Sequence, residues 1–175
     1  MTGPFRRHDI IELFNELGSR LQGRGVRANV YIVGGAVMAL LYDDRRVTRD
    51  IDSVILEGHG PLTEVVREIA RERDLPSSWL NEQASAYVST RPDLEQTRVF
   101  DHPSLIVAAA SPNHMLAMKL QAARPTDVSD IKLLLSILNV KSVAAAKAVH
   151  GSVFPGAILK PRAILILEDI VADTA

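Results

Sequence analysis

The sequence contains no cysteine. Disulfides, cysteine-ligated zinc and thiol nucleophiles are thereby excluded. Aromatic residues make up 5% of the chain, and the single tryptophan, Trp79, stands alone, so the chain has no platform of successive aromatics for stacking bases. No apolar run reaches the roughly 18–20 residues that cross a bilayer. The longest, Leu105–Ala110 and Ala163–Leu167, are short and bounded by polar residues or proline. The first residues lead into an amphipathic helix rather than the apolar core of a signal peptide. The expectation is a cytoplasmic protein with no membrane partner. The histidines lack metal-binding spacing, and no Gly-x-x-x-x-Gly-Lys loop is present, which sets aside zinc-protease and P-loop chemistry. A net charge of -1 excludes a protein that coats nucleic acid, though not a local basic patch.

What is present is ordinary for a globular chain: 175 residues, 47% hydrophobic and 23% charged. Helical spacing at Ile10, Ile11, Phe14, Leu17 and Leu21 predicts a helix over residues 9–21. Asn29–Val33 reads as a buried strand, followed by Gly34-Gly35 and a short helix over Ala36–Tyr42. Ile51–Leu56 is a second strand, and a charged helix follows from Pro61 to Arg73. Ala84–Ser89, Thr97–Phe100 and Leu105–Ala109 are further candidate strands. Helices are expected over 112–124, 127–138, 142–150 and 161–171. The order is mixed α/β (α+β), a sheet flanked by helices, and then a helical C-terminal lobe. A composition shift at Ser111-Pro112 divides residues 1–110 from residues 111–175.

Two constellations carry chemistry. In the first, a strand runs into Gly34-Gly35 and a helix, and a polar loop then leads to Asp50-Ile51-Asp52. A glycine pair lets the backbone turn sharply and approach a ligand, and the helix start presents free N–H groups to a phosphate. Residues i and i+2 of a strand share a face, so Asp50 and Asp52 lie side by side with Ile51 turned to the core. Their repulsion is offset by a hard divalent cation, Mg²⁺ or Mn²⁺, which can bridge phosphates and activate a hydroxyl. Thr48 shares that face if the strand starts early. Arg46 and Arg49 flank the acidic pair and can steer a nucleotide or RNA.

In the second, Lys119 lies on a helix beside its apolar stripe, at i+4 from Met115 and i−4 from Ala123. Asp127 and Asp130 follow the break at Arg124-Pro125-Thr126. They form a capping box at the next helix start, or else Asp130, bordering the core, takes Lys119 as its partner.

Val33–Leu41 and Arg46–Asp52, as they stand here, resemble the core motif of the nucleotidyltransferase superfamily. More narrowly they are similar to its AbiEii/MenT-type toxin branch, which has Gly-Gly in place of Gly-Ser and carries Arg-x-Thr/Ser-x-Asp-Ile-Asp. Leu116–Lys119 followed by Asp127–Ile131 resembles the second block of that branch. The resemblance implies a nucleotidyltransferase fold and transfer of NMP from an NTP to a hydroxyl. It implies Asp50 and Asp52 as metal ligands, with Gly34, Gly35, Arg46 and Thr48 at the nucleotide. Lys119 would be the phosphate-binding cation, and Asp127 or Asp130 the second-block acid. It also implies a toxin acting on the tRNA 3′ acceptor end, with a cognate antitoxin as partner. The chain departs from the usual superfamily pattern in one respect: Leu105–Ala109 has no third carboxylate. Asp101, just before that strand, can supply one only in a shifted register.

Overall fold

The helical spacing at the N-terminus is realised as α1 (Arg7–Gly23), with Ile10, Leu13, Phe14, Leu17 and Leu21 buried and Ile11 only half-buried. The computed structural model describes residues 3–174. After α1 come β1 (Ala28–Val33), α2 (Gly34–Val37) running into a π-helical turn (Met38–Tyr42), β2 (Ile51–Glu57), α3 (His59–Glu72) and β3 (Leu80–Asn81). A 3₁₀ turn (Gln83–Tyr87), β4 (Thr97–His102) and β5 (Leu105–Ala109) follow. The remainder is helical: α4 (Pro112–Ala122), a 3₁₀ turn (Pro125–Asp127), α5 (Val128–Ile137), α6 (Val143–Val153) and α7 (Pro161–Thr174). No helix among the described residues is long and apolar enough to cross a membrane.

The chain divides into two compact units. One takes the chain up to Ala86 together with Gln96–Ala110; the other takes Tyr87–Glu95 and the chain from Ser111 onward.

In the first unit the five strands form a mixed sheet in the order β3-β2-β1-β5-β4. β1 pairs antiparallel with β2 and parallel with β5, and β4 pairs antiparallel with β5. Helix α3 buries Leu62, Val65, Val66, Ile69 and Ala70, and the fully buried Trp79 donates its indole N–H to the Val66 carbonyl at 3.0 Å. Gly18 on α1 lets the His102 ring lie against the helix: a Cβ there would sit 2.8 Å from the imidazole. The polar faces of α1 and α3 interlock through Arg20 with Glu16 and Glu72, Arg24 with Glu68, and Arg73 with Glu12 and Glu16. The bond to Glu72 is the main reason the Arg20 guanidinium is held above its ordinary value.

Ala84–Ser89 is not the strand expected from sequence. Pairing along the β2 edge ends with Leu80 and Asn81, because Glu82 then turns its carboxylate to the Ile55 N–H at 2.9 Å. With that donor satisfied by a side chain, the following residues coil into the 3₁₀ turn instead.

In the second unit, Ser111 and Ser142 cap α4 and α6 by accepting the N–H groups of His114 and Ala145. Segment 87–95 is tied to α6 by Ser89 Oγ donating to the Val153 carbonyl and Arg91 donating to the Ser152 carbonyl. His150 is buried, meets Gln121 Oε1 through Nε2 at 2.7 Å, and is held below its ordinary value by desolvation.

Gly58, at the N-cap of α3, has φ +76°, and a Cβ there would meet the Arg27 carbonyl oxygen at 2.4 Å. Gly60, two residues on, has open space around it. Gly58→Ala is expected to destabilise by at least about 2 kcal/mol, whereas Gly60→Ala is neutral or stabilises by up to about 1 kcal/mol. Urea unfolding of the two variants checks this contrast.

Candidate active site

The site in the first unit is built where β1 ends. Val33 is still extended and pairs with Asp52 across the β1–β2 ladder. Paired residues of a ladder share a face, so the Asp52 carboxylate rises beside the turn that follows Val33. Gly34 makes that turn at φ +71°, where an L side chain is strained, and a Cβ there would lie 3.1 Å from Asp52 Oδ2. At Gly35 a Cβ would lie 2.7 Å from Thr48 Oγ1 and 3.2 Å from Thr48 Cβ. Each glycine is therefore fixed by a different neighbour, and the two neighbours are the residues singled out around Asp50.

Beyond the glycines the helix widens into the π turn, closed by Asp43 N–H donating to the Met38 carbonyl at 2.9 Å. Such turns are rare and concentrate at functional sites. The loop then returns through Thr48, which is nearly buried at 9% exposure. Its hydroxyl donates to the Asp50 carbonyl at 2.9 Å. Its backbone is clamped by Phe5: Phe5 N–H donates to the Thr48 carbonyl at 2.6 Å and Thr48 N–H to the Phe5 carbonyl at 2.9 Å. Thr48 thus holds the backbone that carries Asp50. Ile51 is fully buried, and its N–H donates to the Trp79 carbonyl at 2.7 Å. Asp50 and Asp52, on either side of it, are both half-buried at the mouth of β2. Arg46 is half-buried in the same loop and engaged within the protein.

This cradle suits a small hard cation. Two carboxylates flank Ile51, and Gly34 leaves empty the space beside Asp52 that a Cβ would occupy. Among the described residues no group of three or more acidic or histidine side chains forms a complete cage. The remaining coordination positions would fall to substrate phosphates and water, which is how Mg²⁺ is usually held.

The register settles the question raised by Asp101. It lies opposite Ile106 on β4, exposed and bonded to Arg98 at 2.8 Å. β4 stands three strands from β2, about 14 Å across the sheet, so Asp101 does not complete the pair. Level with Val33, the β5 chain carries Ala109 and Ala110, with Ala110 N–H donating to the Ile32 carbonyl at 3.0 Å.

Lys119, Asp127 and Asp130 meet in the second unit. The Lys119 ammonium lies 2.7 Å from Asp127 Oδ1 and 2.7 Å from Asp130 Oδ2. Lys119 is 8% exposed and Asp130 2%. The capping-box alternative is not what forms: Asp127 makes no side-chain cap to α5. Both carboxylates instead clamp one cation, joining α4 to the start of α5. Asp127 and Asp130 are thus both partners of Lys119.

Phe5 is the residue of this site that sequence reasoning missed. It precedes α1, outside its periodic stretch. The available signal was one large apolar residue isolated in the polar start of the chain.

Residues 8–146 match the model of a family described as "Nucleotidyltransferase of unknown function (DUF6036)". Among solved structures, the crystal structure of an antigenic nucleotidyltransferase-like protein from Paracoccidioides brasiliensis is similar, at 16% identity, with 95% of each chain covered and a TM-score of 0.48. No curated protein matches the chain.

Gly35→Ala is expected to cost about 2 kcal/mol through overpacking against Thr48. Adding Thr48→Ala should restore part of that loss, although Thr48→Ala alone costs about 1 kcal/mol for its hydrogen bond. A thermal-unfolding double-mutant cycle checks the opposite signs. In the second unit, Lys119→Met should destabilise by about 3–5 kcal/mol because it strands two carboxylates. The triple variant with Asp127→Asn and Asp130→Asn should regain much of that in the same assay.

Proposed function

The chain belongs to this nucleotidyltransferase family, and from that premise we propose that it transfers a nucleoside monophosphate from an NTP to an acceptor hydroxyl. The observation that carries the reading is the packing of Gly34 and Gly35 directly onto Asp52 and Thr48. It puts side-chain-free backbone beside the Asp52 carboxylate and the Thr48 hydroxyl, an arrangement suited to a triphosphate and its cation.

Asp50 and Asp52 would hold a divalent cation, Mg²⁺ or Mn²⁺. When bound, such an ion offsets phosphate charge and eases deprotonation of the attacking hydroxyl. Gly34 and Gly35 admit the phosphates against the main chain. Thr48 is a positioning residue, since its hydroxyl hydrogen is committed to the Asp50 carbonyl. In the transfer, the acceptor oxygen bonds the α-phosphorus and the bond to the departing diphosphate breaks. The hydroxyl proton leaves to a carboxylate of the Asp50–Asp52 pair. Arg46 borders the nucleotide in this reading. Lys119 has three N–H donors and directs them first to Asp127 and Asp130, so any phosphate contact falls to the remaining one.

The finer proposal follows the resemblance of the motifs to AbiEii/MenT-type toxins. The acceptor is the 3′ end of tRNA, the setting is the cytoplasm, and a cognate antitoxin is the partner. A second reading is a nucleotide-binding module without turnover; the absence of an acidic residue at Ala109 and Ala110 favours it.

Incubating the protein with each α-labelled NTP, Mg²⁺ and total RNA decides between them. Label is expected on RNA with the wild type and should fall at least about 100-fold with Asp50→Asn, the scale of losing an electrostatic catalytic group. Label on protein or a small molecule would replace the RNA acceptor. No transfer from any NTP to any acceptor by folded protein would leave the binding-module reading.

A further inference from the structure

The bridge between Phe5 and Thr48 has an outer side whose charge the fold does not use. Phe5 and Thr48 point inward and are 5% and 9% exposed. Neighbours on an antiparallel bridge point the opposite way. Pro4, Arg6, Val47 and Arg49 therefore form the outward side, and all four are exposed. In this register Arg6 and Arg49 are diagonal neighbours, about 7–8 Å apart. Arg7 opens α1 and Arg45 stands two residues before Val47, both exposed.

None of Arg6, Arg7, Arg45 and Arg49 makes an ion pair with a described residue, whereas Arg20, Arg24, Arg73 and Arg98 all do. Two nearby acids are turned to backbone: Asp9 accepts the Arg6 N–H at 2.7 Å, its other oxygen lying 3.0 Å from His8, and Asp43 accepts the Arg45 N–H at 3.0 Å; Asp44, exposed beside Arg45, pairs with none of the four. Arg6 and Arg7 also sit at the positive end of the α1 dipole, where basic side chains oppose helix stability. Four unpaired guanidinium groups, two of them at a helix end that disfavours cations and two on the loop that leads to the carboxylate mouth, indicate an external anion. Guanidinium matches phosphate oxygens with paired N–H donors. The rim carries no aromatic residue on its outward side, so it grips backbone rather than stacked bases. The exposed Val47, opposite Arg6 and two residues before Arg49, offers an apolar contact for a sugar.

We infer that Arg6, Arg7, Arg45 and Arg49 form a rim that binds the phosphodiester backbone of a single-stranded nucleic acid and leads its terminal hydroxyl to Asp50 and Asp52. The inference rests on the transfer reading for what the strand delivers, but the docking is measured apart from it.

The test uses the full chain and a fluorescein-labelled 12-nucleotide RNA, followed by anisotropy from 50 to 300 mM KCl. Four phosphate contacts on a single strand predict a log–log salt slope of about −3. Alanine at all four positions should bring the slope close to zero and weaken binding on the order of 100-fold at low salt. Lysine at the same four positions should keep the slope, which separates lost charge from lost folding. Lys147→Ala with Lys160→Ala, in the other unit, should leave it unchanged. An alanine variant with the wild-type slope overturns the inference. So does inorganic polyphosphate that displaces the RNA more strongly, phosphate for phosphate, than unlabelled RNA does. If nucleotide transfer fails on every acceptor while binding still follows the rim, the transfer reading falls and the rim stands. If RNA is labelled equally by the alanine variant at limiting RNA, the rim falls and transfer stands.

Discussion

The approach of two side chains to a bare main chain is the constraint on which the first unit is organised. Gly34 and Gly35 are not a generic flexible turn. Asp52 Oδ2 stands 3.1 Å and Thr48 Oγ1 2.7 Å from where their Cβ atoms would be. For Asp52 to reach that position, β2 must pair with β1 so that Asp52 faces Val33, and a register slip of one residue would turn the carboxylate to the other side. For Thr48 to reach it, the loop must come back under the π turn and be held there. Phe5 does this with two backbone hydrogen bonds, so the start of the chain, the loop and the strand end are fixed as one assembly.

Charge is spent in two different ways in this unit. On the helical side, acidic residues of α1 and α3 meet arginines in a ladder, and each exposed pair is worth no more than about 1 kcal/mol. Glu68 and Glu72 of α3 are matched in this way by Arg24 and Arg20 of α1 and its end. On the bridge side, Arg6, Arg7, Arg45 and Arg49 make no ion pair with a described residue, and Asp9 and Asp43 bond backbone N–H groups instead. A formal charge of -1 averages over the two regions and describes neither.

The strands and helices with clear periodicity were legible from sequence, as was the approach of the Asp50–Asp52 segment to the glycine pair, where Asp52 lies against Gly34. Local spacing of two or four residues carries that information. Three features were not legible. The strand expected at Ala84–Ser89 became a turn because a Glu82 side chain satisfied the β2 edge, a contact 27 residues away in sequence. That Asp127 and Asp130 both bind Lys119 could not be read because capping and ion pairing have the same spacing, and only the position of Lys119 decides for the ion pair. Phe5 stood out only as an isolated apolar residue, and its partner could not be read because it lies beyond an entire helix and strand, where no periodicity reaches.

The lack of a third carboxylate belongs to this same packing. β5 runs beside β1, and the residues level with the Asp52 mouth, Ala109 and Ala110, are fully buried. An aspartate at either position would be a charge removed from water with no cation built to meet it, a cost of several kcal/mol. Asp101 avoids that cost by lying on the edge strand, paired with Arg98 and exposed. The sheet therefore accepts acidic side chains at the β2 mouth, where they are half-buried, and excludes them one strand past β1. On the proposed reading, two carboxylates suit one cation whose other positions are filled by phosphates, rather than a pair of cations bridged by a third acid. On that reading, activation of the acceptor hydroxyl would rest on the Asp50–Asp52 pair and its cation with no third acid, and the clamp that Phe5 and Thr48 place on the Asp50 backbone would matter to the chemistry as well as to the fold.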